Sequence, residues 1–113
     1  MDLGEMRKRI QDTPLVQHLP EEMRKRFVSM LLWLSETEEV SREEKLFTQG
    51  AKDIDRGVLI LEGMVRIITE ETDNKTIEAP DILGEVQLFT PQGTRTATVK
   101  VIVGGILLSF QWR

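Results

Sequence analysis

Apolar residues follow a helical spacing in the first 40 residues of the chain. Between residues 20 and 34 they recur every three or four positions, at Met23, Phe27, Met30, Leu31 and Leu34. Pro20 suits a first helical position, and the two acidic residues that follow it favour a helix start there. The pattern predicts an amphipathic helix with its methionines in the core and with Trp33 in packing contacts. A preceding helix is predicted over roughly residues 2–11, ended by Asp12-Thr13-Pro14.

Beyond residue 46 the apolar residues form short runs at close intervals. The runs are Val58–Leu61, Met64–Thr69, Thr76–Ala79, Arg95–Val103 and Ile106–Phe110. Turn-forming residues separate them, and the pair Gly104-Gly105 between two apolar runs predicts a two-residue hairpin. Regular short strands of this kind favour an antiparallel sandwich or barrel.

Composition and charge narrow the classes of function. The chain has 113 residues, the usual size of one domain, and a net charge of -4. This charge gives no general attraction to nucleic acid or anionic lipid, and no apolar stretch approaches a membrane span or a signal peptide. The basic clusters at residues 7–9 and 24–26 are interleaved with glutamates and predict solvated helix faces. We therefore expect a cytoplasmic protein that binds neither nucleic acid nor membrane.

Residue types that often carry chemistry are scarce. The sequence has no cysteine and one histidine, His18, which we expect on the surface. Disulfides, thiol nucleophiles, cysteine-based metal sites and multi-histidine zinc or iron sites are therefore excluded. Because neither a nucleophile set nor a metal set is present, we expect no enzyme activity, no metal and no cofactor.

The segment from Leu83 to Phe89 departs from the strand pattern. It lies between Pro80 and Pro91, alternates poorly and is too short for a full helix. We predict a single helical turn that opens at Gly84. The first turn of a helix has unpaired backbone N–H groups and a partial positive charge, so this turn would form a small anion site.

Arg95 begins a run in which every second residue is apolar. Ala97, Val99 and Val101 share its face of the predicted strand, whereas the threonines share the other face. A guanidinium that points towards an apolar interior is costly unless an anion meets it. Two partners are open: the Glu85 carboxylate, in a structural ion pair, or the anion of a ligand.

The turn at Gly84 favours a ligand. Gly84 allows close approach of the backbone, and Arg95 would complete a bidentate grip on a phosphate. Glu85, when ionised, only accepts hydrogen bonds, which suits a sugar hydroxyl beside that phosphate. Donors for a phosphate beside an acceptor for a hydroxyl describe a nucleotide site.

The same residues carry a resemblance to a known family. The run from Leu83 to Phe89, followed by Arg95-Thr96-Ala97-Thr98-Val99, resembles the phosphate-binding cassette of cyclic nucleotide-binding domains. Pro14-Leu15 with Leu19-Pro20 resembles the helix that leads into the family's roll. Leu46–Gly50 resembles its first strand and turn, and Val58–Gly63 its central hairpin. The resemblance covers nearly all of residues 14–110.

The resemblance implies a role for each residue of the cassette. Glu85 would accept a hydrogen bond from the ribose 2′-hydroxyl, and Arg95 would bind the cyclic phosphate. Three positions would offer backbone groups: Gly84, Val86 and Gln87. Two more would line the site beside the phosphate and the base: Thr96 and Ala97.

The sequence departs from the family pattern at a few positions. Gln87 stands where the family has a small residue, so its side chain must turn away from the phosphate. Pro80-Asp81 replaces a Gly-Asp turn, and Leu83 replaces an aromatic residue. The chain stops at Arg113, where the family continues into helices that cover the base, so we expect those lid helices to be absent.

The fold expected from the sequence is mainly β with flanking α-helices. It is an antiparallel, jelly-roll-like β-roll with N-terminal helices and a short helix in the cassette. A single domain of residues 1–113 would hold the helices in 1–40 and the roll in 41–110. Its function would be to bind cAMP or cGMP and to signal to an effector domain or protein partner. The sequence is also compatible with a homodimer. The alternative is a degenerate β-roll that binds a protein and no nucleotide.

Overall fold

A computed structural model describes residues 1–51, 56–69, 74–83 and 97–111. Helices come first, and they are α1 (Leu3–Asp12), α2 (Pro14–Gln17) and α3 (Glu21–Leu34). The described strands that follow are β1 (Glu36–Val40), β2 (Lys45–Phe47), β3 (Arg56–Ile68), β4 (Lys75–Glu78), β5 (Asp81–Leu83) and β6 (Thr98–Gln111). The predicted β-roll with N-terminal helices is confirmed.

Strands β3 and β6 form the centre of the sheet. They pair antiparallel from Arg56 opposite Gln111 to Ile68 opposite Thr98. The shorter strands attach antiparallel to these two: β1 and β2 lie beside the second and first halves of β6, and β5 and β4 lie beside the first and second halves of β3. The order along the sheet is β1-β6-β3-β4, with β2 on β6 and β5 on β3.

Alternate residues of β3 enter two different apolar clusters. Val58 and Ile60 point into the roll, together with Val40, Leu46, Phe47, Val65, Leu83, Val99, Val101 and Leu107. Leu59 and Leu61 point to the helices, together with Ile10, Val16, Val28, Leu31, Ile82, Leu108 and Phe110. Both faces of the central strand are covered, so its sequence is continuously apolar rather than alternating.

Polar side chains stabilise the helices, and one of them attaches α1 to the roll. The side chain of Asp2 caps α1 by accepting from the backbone N–H of Glu5 at 2.8 Å. The guanidinium of Arg9 donates to the carbonyl of Leu61 in β3 at 3.0 Å, and that of Arg24 donates to the carbonyl of Leu19 at 2.8 Å. These two arginines therefore have structural partners. The rest of the basic clusters is exposed as predicted, at Arg7, Lys8, Lys25 and Arg26.

Within residues 1–51, 56–69, 74–83 and 97–111, no helix is long and apolar enough to span a membrane. His18 is exposed, as predicted.

The hairpin predicted at Gly104-Gly105 is wrong, and so is the turn expected at the end of Val58–Gly63. Strand β6 runs unbroken through Gly104-Gly105, and β3 runs unbroken through Glu62-Gly63. The glycines lie where the two strands approach closely: an ideal Cβ on Gly105 would lie 1.8 Å from the carbonyl oxygen of Glu62. The register shifts around Glu62, which is the signature of a β-bulge. Glycine is needed there for space rather than for chain reversal.

Strands β1 and β5 were not predicted. β1 occupies Glu36–Val40, in the part of the chain assigned to helices, and buries only Val40. β5 occupies Asp81–Leu83, at the edge of the predicted cassette. Leu46–Gly50 accordingly contains the second strand rather than the first. Both missed strands are short and form by pairing with longer ones, which local periodicity does not reveal.

The predicted core face of α3 is right at Leu31 and wrong at the two methionines and Trp33. Val28 and Leu31 are buried, but Met23 and Met30 are 53% and 51% exposed and Trp33 is 88% exposed. The helix packs on the sheet through the side of Val28 and Leu31, where the apolar face of β3 and β6 meets it. A second apolar face of the same helix therefore stays open.

Candidate functional site

Most of the predicted site lies outside the described residues. Gly84, Glu85, Val86, Gln87, Arg95 and Thr96 fall in residues 84–96, together with the predicted helical turn. The described member of the set is Ala97, which is half-buried directly before β6. The roles assigned to these residues remain predictions, and the structure describes the frame that holds both ends of the segment.

The two ends of residues 84–96 are anchored in one apolar cluster. Leu83 pairs with Val58 at the start of β3 and is 7% exposed. Val99 pairs with both Ile67 of β3 and Phe47 of β2, and is 6% exposed. Leu83 and Val99 belong to the cluster inside the roll. The described residues on the two sides of 84–96 are thus held by the same core.

Strand β2 fixes the point of re-entry. The backbone N–H of Gln49, two residues beyond β2, donates to the side-chain oxygen of Thr98 at 3.0 Å. Thr98 is the first residue of β6 and follows Ala97. The position of Ala97 is therefore set by a strand distant in sequence as well as by its own strand.

Arg56 joins four strands beside the first anchor, and the sequence reasoning did not single it out. From the first position of β3, its guanidinium donates to the carbonyl of Leu46 at 2.8 Å, to the Ser109 hydroxyl at 3.1 Å and to the Glu38 carboxylate at 3.5 Å. It also lies 5.5 Å from the centre of the Phe47 ring. Those contacts belong to β1, β2 and β6, so Arg56 links three strands to β3. The pairing of β3 with β5 begins two residues later, at Val58.

No sequence signal identified Arg56 because its partners are 10 to 53 positions away. Its one local mark is that it directly precedes the apolar run of β3. The Arg56 guanidinium has protein partners, so it is a structural group and is not assigned to a ligand.

Replacing Arg56 should destabilise the roll. We expect Arg56→Met to lower the free energy of unfolding by about 2–4 kcal/mol, because hydrogen bonds to charged groups contribute about 1.5–3 kcal/mol each at best and the methionine keeps only the apolar packing. Arg56→Lys should recover part of the loss, since it keeps the charge but not the planar fork. Urea unfolding followed by circular dichroism measures both.

A matched control for Arg56 is Arg66, which is exposed on the same strand. Arg66→Met should change the free energy of unfolding by no more than about 0.5 kcal/mol. If Arg56→Met is as mild as Arg66→Met, Arg56 does not hold the strands together.

The turn before β2 is tied to β6 by an exposed ion pair. Glu43 has a positive φ of 78°, and its backbone N–H donates to the carbonyl of Val101 at 2.8 Å. Its carboxylate lies 2.5 Å from the Lys100 ammonium. The hydrogen bond from Lys100 and the charge of that group lower the pKa of Glu43 from its usual value. This contact therefore persists in mildly acidic solution and weakens only as the pH falls through that lowered pKa.

Comparison with known proteins places this fold among solved structures. No protein-family model matches the chain, and no curated protein matches it. The CBD2 domain of PKAR bound to Sp-2Cl-cAMPS superposes with a TM-score of 0.76 at 15% identity, over 96% of this chain and 73% of that one. A putative cyclic nucleotide binding protein from Ruegeria pomeroyi DSS-3 gives 0.75 at 17% identity, over 99% and 49%.

A third similar structure has a different description. The regulatory subunit of a cAMP-independent protein kinase A from Trypanosoma brucei superposes with a TM-score of 0.78 at 20% identity, over 96% of this chain and 39% of that one. The chain thus spans between 39% and 73% of the length of these three proteins. At such identities the likeness establishes a shared fold.

Proposed function

We propose that this chain, which has the fold of cyclic nucleotide-binding domains, is a non-catalytic sensor that binds cAMP or cGMP. The observation that carries the proposal is the anchoring of residues 84–96. Leu83 and Val99 hold the two ends of that segment in one buried cluster. The segment contains Gly84, Glu85 and Arg95, so the residues with nucleotide-binding chemistry lie between two fixed points.

The alternation of β6 supports the role of Arg95. Val99 and Val101 are 6% and 0% exposed, whereas Thr98 and Lys100 on the other face are half-buried. Arg95 precedes these valines in the sequence by four and six positions, so a strand that began at Arg95 would place its guanidinium on their face, where it would need an anion. A cyclic phosphate would supply that anion, and Glu85 would take the ribose hydroxyl.

The helices are the element through which binding would be relayed. Arg9 of α1 donates to the carbonyl of Leu61 in β3, and Val28 and Leu31 of α3 pack on the same sheet. A ligand that makes different contacts in two arrangements of helices and roll shifts the balance between them. The receiver of that signal would be an effector domain or a protein partner in the cytoplasm.

Calorimetric titration tests the proposal. Purified protein is titrated with cAMP, with cGMP, and with 5′-AMP as a non-cyclic phosphate of the same size. We expect saturable heat from at least one cyclic nucleotide and none from 5′-AMP, and the tighter cyclic ligand identifies the base. A rise in unfolding temperature with the same ligand provides a second readout, because a ligand that binds only the folded state stabilises it.

The second candidate is a β-roll that binds a protein partner without nucleotide. Gln87, in place of a small residue, favours it, and so does the fold's occurrence in a regulatory subunit described as cAMP-independent. In this case Glu85 would be the partner of Arg95. The absence of heat from both cyclic nucleotides, with protein shown to be folded by circular dichroism, would support this candidate and reject the first.

A further inference from the structure

The open face of α3 is a contiguous apolar surface. Met23, Met30 and Leu34 are 53%, 51% and 63% exposed, and they recur at intervals of seven and four residues on one side of the helix. The half-buried Phe27 adjoins them. A different, adjoining side of α3 already packs on the roll through Val28 and Leu31. An apolar face beyond the one that the core uses marks a surface for a partner.

One edge of this face carries a cation and an exposed aromatic ring. Arg26 is exposed, and Trp33 is 88% exposed. Seven residues separate them, so they lie on the same edge of the helix almost two turns apart. A guanidinium over the face of an indole ring is a favourable contact. Within one helix, seven residues separate the two groups by about 10 Å along the axis.

We propose that α3 is a homodimer interface in which two copies of the helix pack antiparallel about a two-fold axis. Antiparallel pairing about such an axis brings each helix edge against the same edge of the other copy. Arg26 of each copy then faces Trp33 of the other, and the contact forms twice. Met23 of each copy lies opposite Leu34 of the other, and Phe27 and Met30 lie nearest the axis.

The parallel arrangement fits less well. It would turn Arg26 towards the opposite helix edge of the second copy, which carries Arg24, so that like charges would approach. It would also leave Trp33 opposite the edge that holds the buried Leu31. The spacing of Arg26 and Trp33 thus matches a second, antiparallel copy of the same helix.

The charge of the chain favours a protein over a lipid surface as the partner of the exposed face of α3. Strand β1 follows α3 directly in the chain and exposes Glu36 and Glu39. The chain as a whole has a net charge of -4. An anionic membrane attracts basic segments and would repel these carboxylates.

Sedimentation velocity tests the interface directly. A single pair of helices buries less area than a standard interface, so the intact chain is measured from ~5 µM to ~500 µM. We expect the sedimentation coefficient to rise from that of the monomer towards that of the dimer over this range. Met30→Glu places two carboxylates near the axis and should weaken dimerisation at least tenfold. A chain that stays monomeric at the highest concentration overturns the proposal.

Val103 provides the matched control. It is 51% exposed, the same as Met30, but lies on β6 away from α3. Val103→Glu should leave dimerisation unchanged while adding the same charge to the same kind of surface. Both variants are checked for folding by circular dichroism. If Met30→Glu and Val103→Glu weaken dimerisation equally, the interface does not lie on α3. The same conclusion follows if the chain dimerises and neither substitution weakens the dimer.

Disulfide trapping tests the orientation. The chain has no cysteine, so single cysteine variants report only on the chosen positions. Mixed Met23→Cys and Leu34→Cys chains should cross-link to each other when oxidised, and each alone should cross-link poorly. Efficient cross-linking of Met23→Cys with itself would reveal a parallel pair and overturn the antiparallel arrangement.

A vesicle arm excludes the lipid alternative. The chain is centrifuged with vesicles of phosphatidylcholine and phosphatidylglycerol, and we expect it to stay in the supernatant. If the chain sediments with the vesicles and Met30→Glu abolishes this co-sedimentation, the exposed face of α3 binds a membrane and the homodimer is rejected.

Discussion

Gly105→Ala is expected to lower the free energy of unfolding by ~3 kcal/mol or more, the upper part of the range for overpacked sites. An added Cβ would lie 1.8 Å from the carbonyl oxygen and 2.4 Å from the carbonyl carbon of Glu62. Both obstructing atoms belong to the backbone of β3, so no side chain can swing away. The two strands must separate at the bulge near Glu62, in the middle of the longest strand pairing of the sheet. Urea unfolding followed by circular dichroism measures the loss.

Other glycines supply graded controls for Gly105. An added Cβ at Gly104 would lie 3.0 Å from the carbonyl oxygen of Val40, which a small shift relieves. At Gly4, in the first turn of α1, the nearest atom is 3.4 Å away, and alanine favours the helix by up to about 1 kcal/mol. The expected order of stability is Gly4→Ala, then Gly104→Ala, then Gly105→Ala. If Gly105→Ala lowers the free energy of unfolding no more than Gly104→Ala does, the close approach of β3 and β6 at Gly105 does not constrain the fold.

Arg95→Ala is expected to weaken cyclic nucleotide binding by about 2–5 kcal/mol, because it leaves the bound phosphate without its buried cation. At about 1.4 kcal/mol for each tenfold change, this corresponds to roughly 30-fold to several thousand-fold in the dissociation constant. Arg95→Lys should recover part of the affinity, since it restores the charge without the bidentate geometry. Calorimetric titration with the tighter cyclic nucleotide measures each variant.

The control for Arg95 is Arg66→Ala, which removes an exposed arginine of β3. It changes the net charge by the same amount and should leave the affinity unchanged. Unchanged affinity in Arg95→Ala would remove Arg95 from the site. If Arg95→Ala instead lowers stability in a chain that binds no nucleotide, the Glu85 carboxylate is the partner of the guanidinium.

Local patterns in the sequence determined much of the fold class. The helical spacing predicted α1 and α3 within a residue or two of their observed bounds, because capping and periodicity are properties of neighbouring residues. The short apolar runs predicted the mainly antiparallel strands. The order Gly84, Glu85, Arg95 likewise defines a candidate anion and hydroxyl site from residue chemistry alone.

Only the tertiary structure decided which apolar face of α3 is covered. Periodicity shows that a helix has apolar residues on a side, but burial depends on what lies opposite. In this chain β3 and β6 meet Val28 and Leu31, and Met23 and Met30 are left exposed. The open face, and the dimer inferred from it, follow from that choice.

Contacts between residues far apart in the chain were likewise invisible in the sequence. A glycine pair permits a turn and a close approach of two strands equally well. The sequence pattern at Gly104-Gly105 therefore predicts a hairpin, whereas the structure has the carbonyl of Glu62 next to Gly105. Arg56 looked like any charged residue before a strand, yet its partners come from three other strands. The sequence by itself determined most of the types of element, and the nucleotide-binding chemistry of residues 84–96 is a prediction from it. The tertiary structure alone determined which elements meet, because packing and hydrogen bonding between distant segments depend on the whole chain rather than on local spacing.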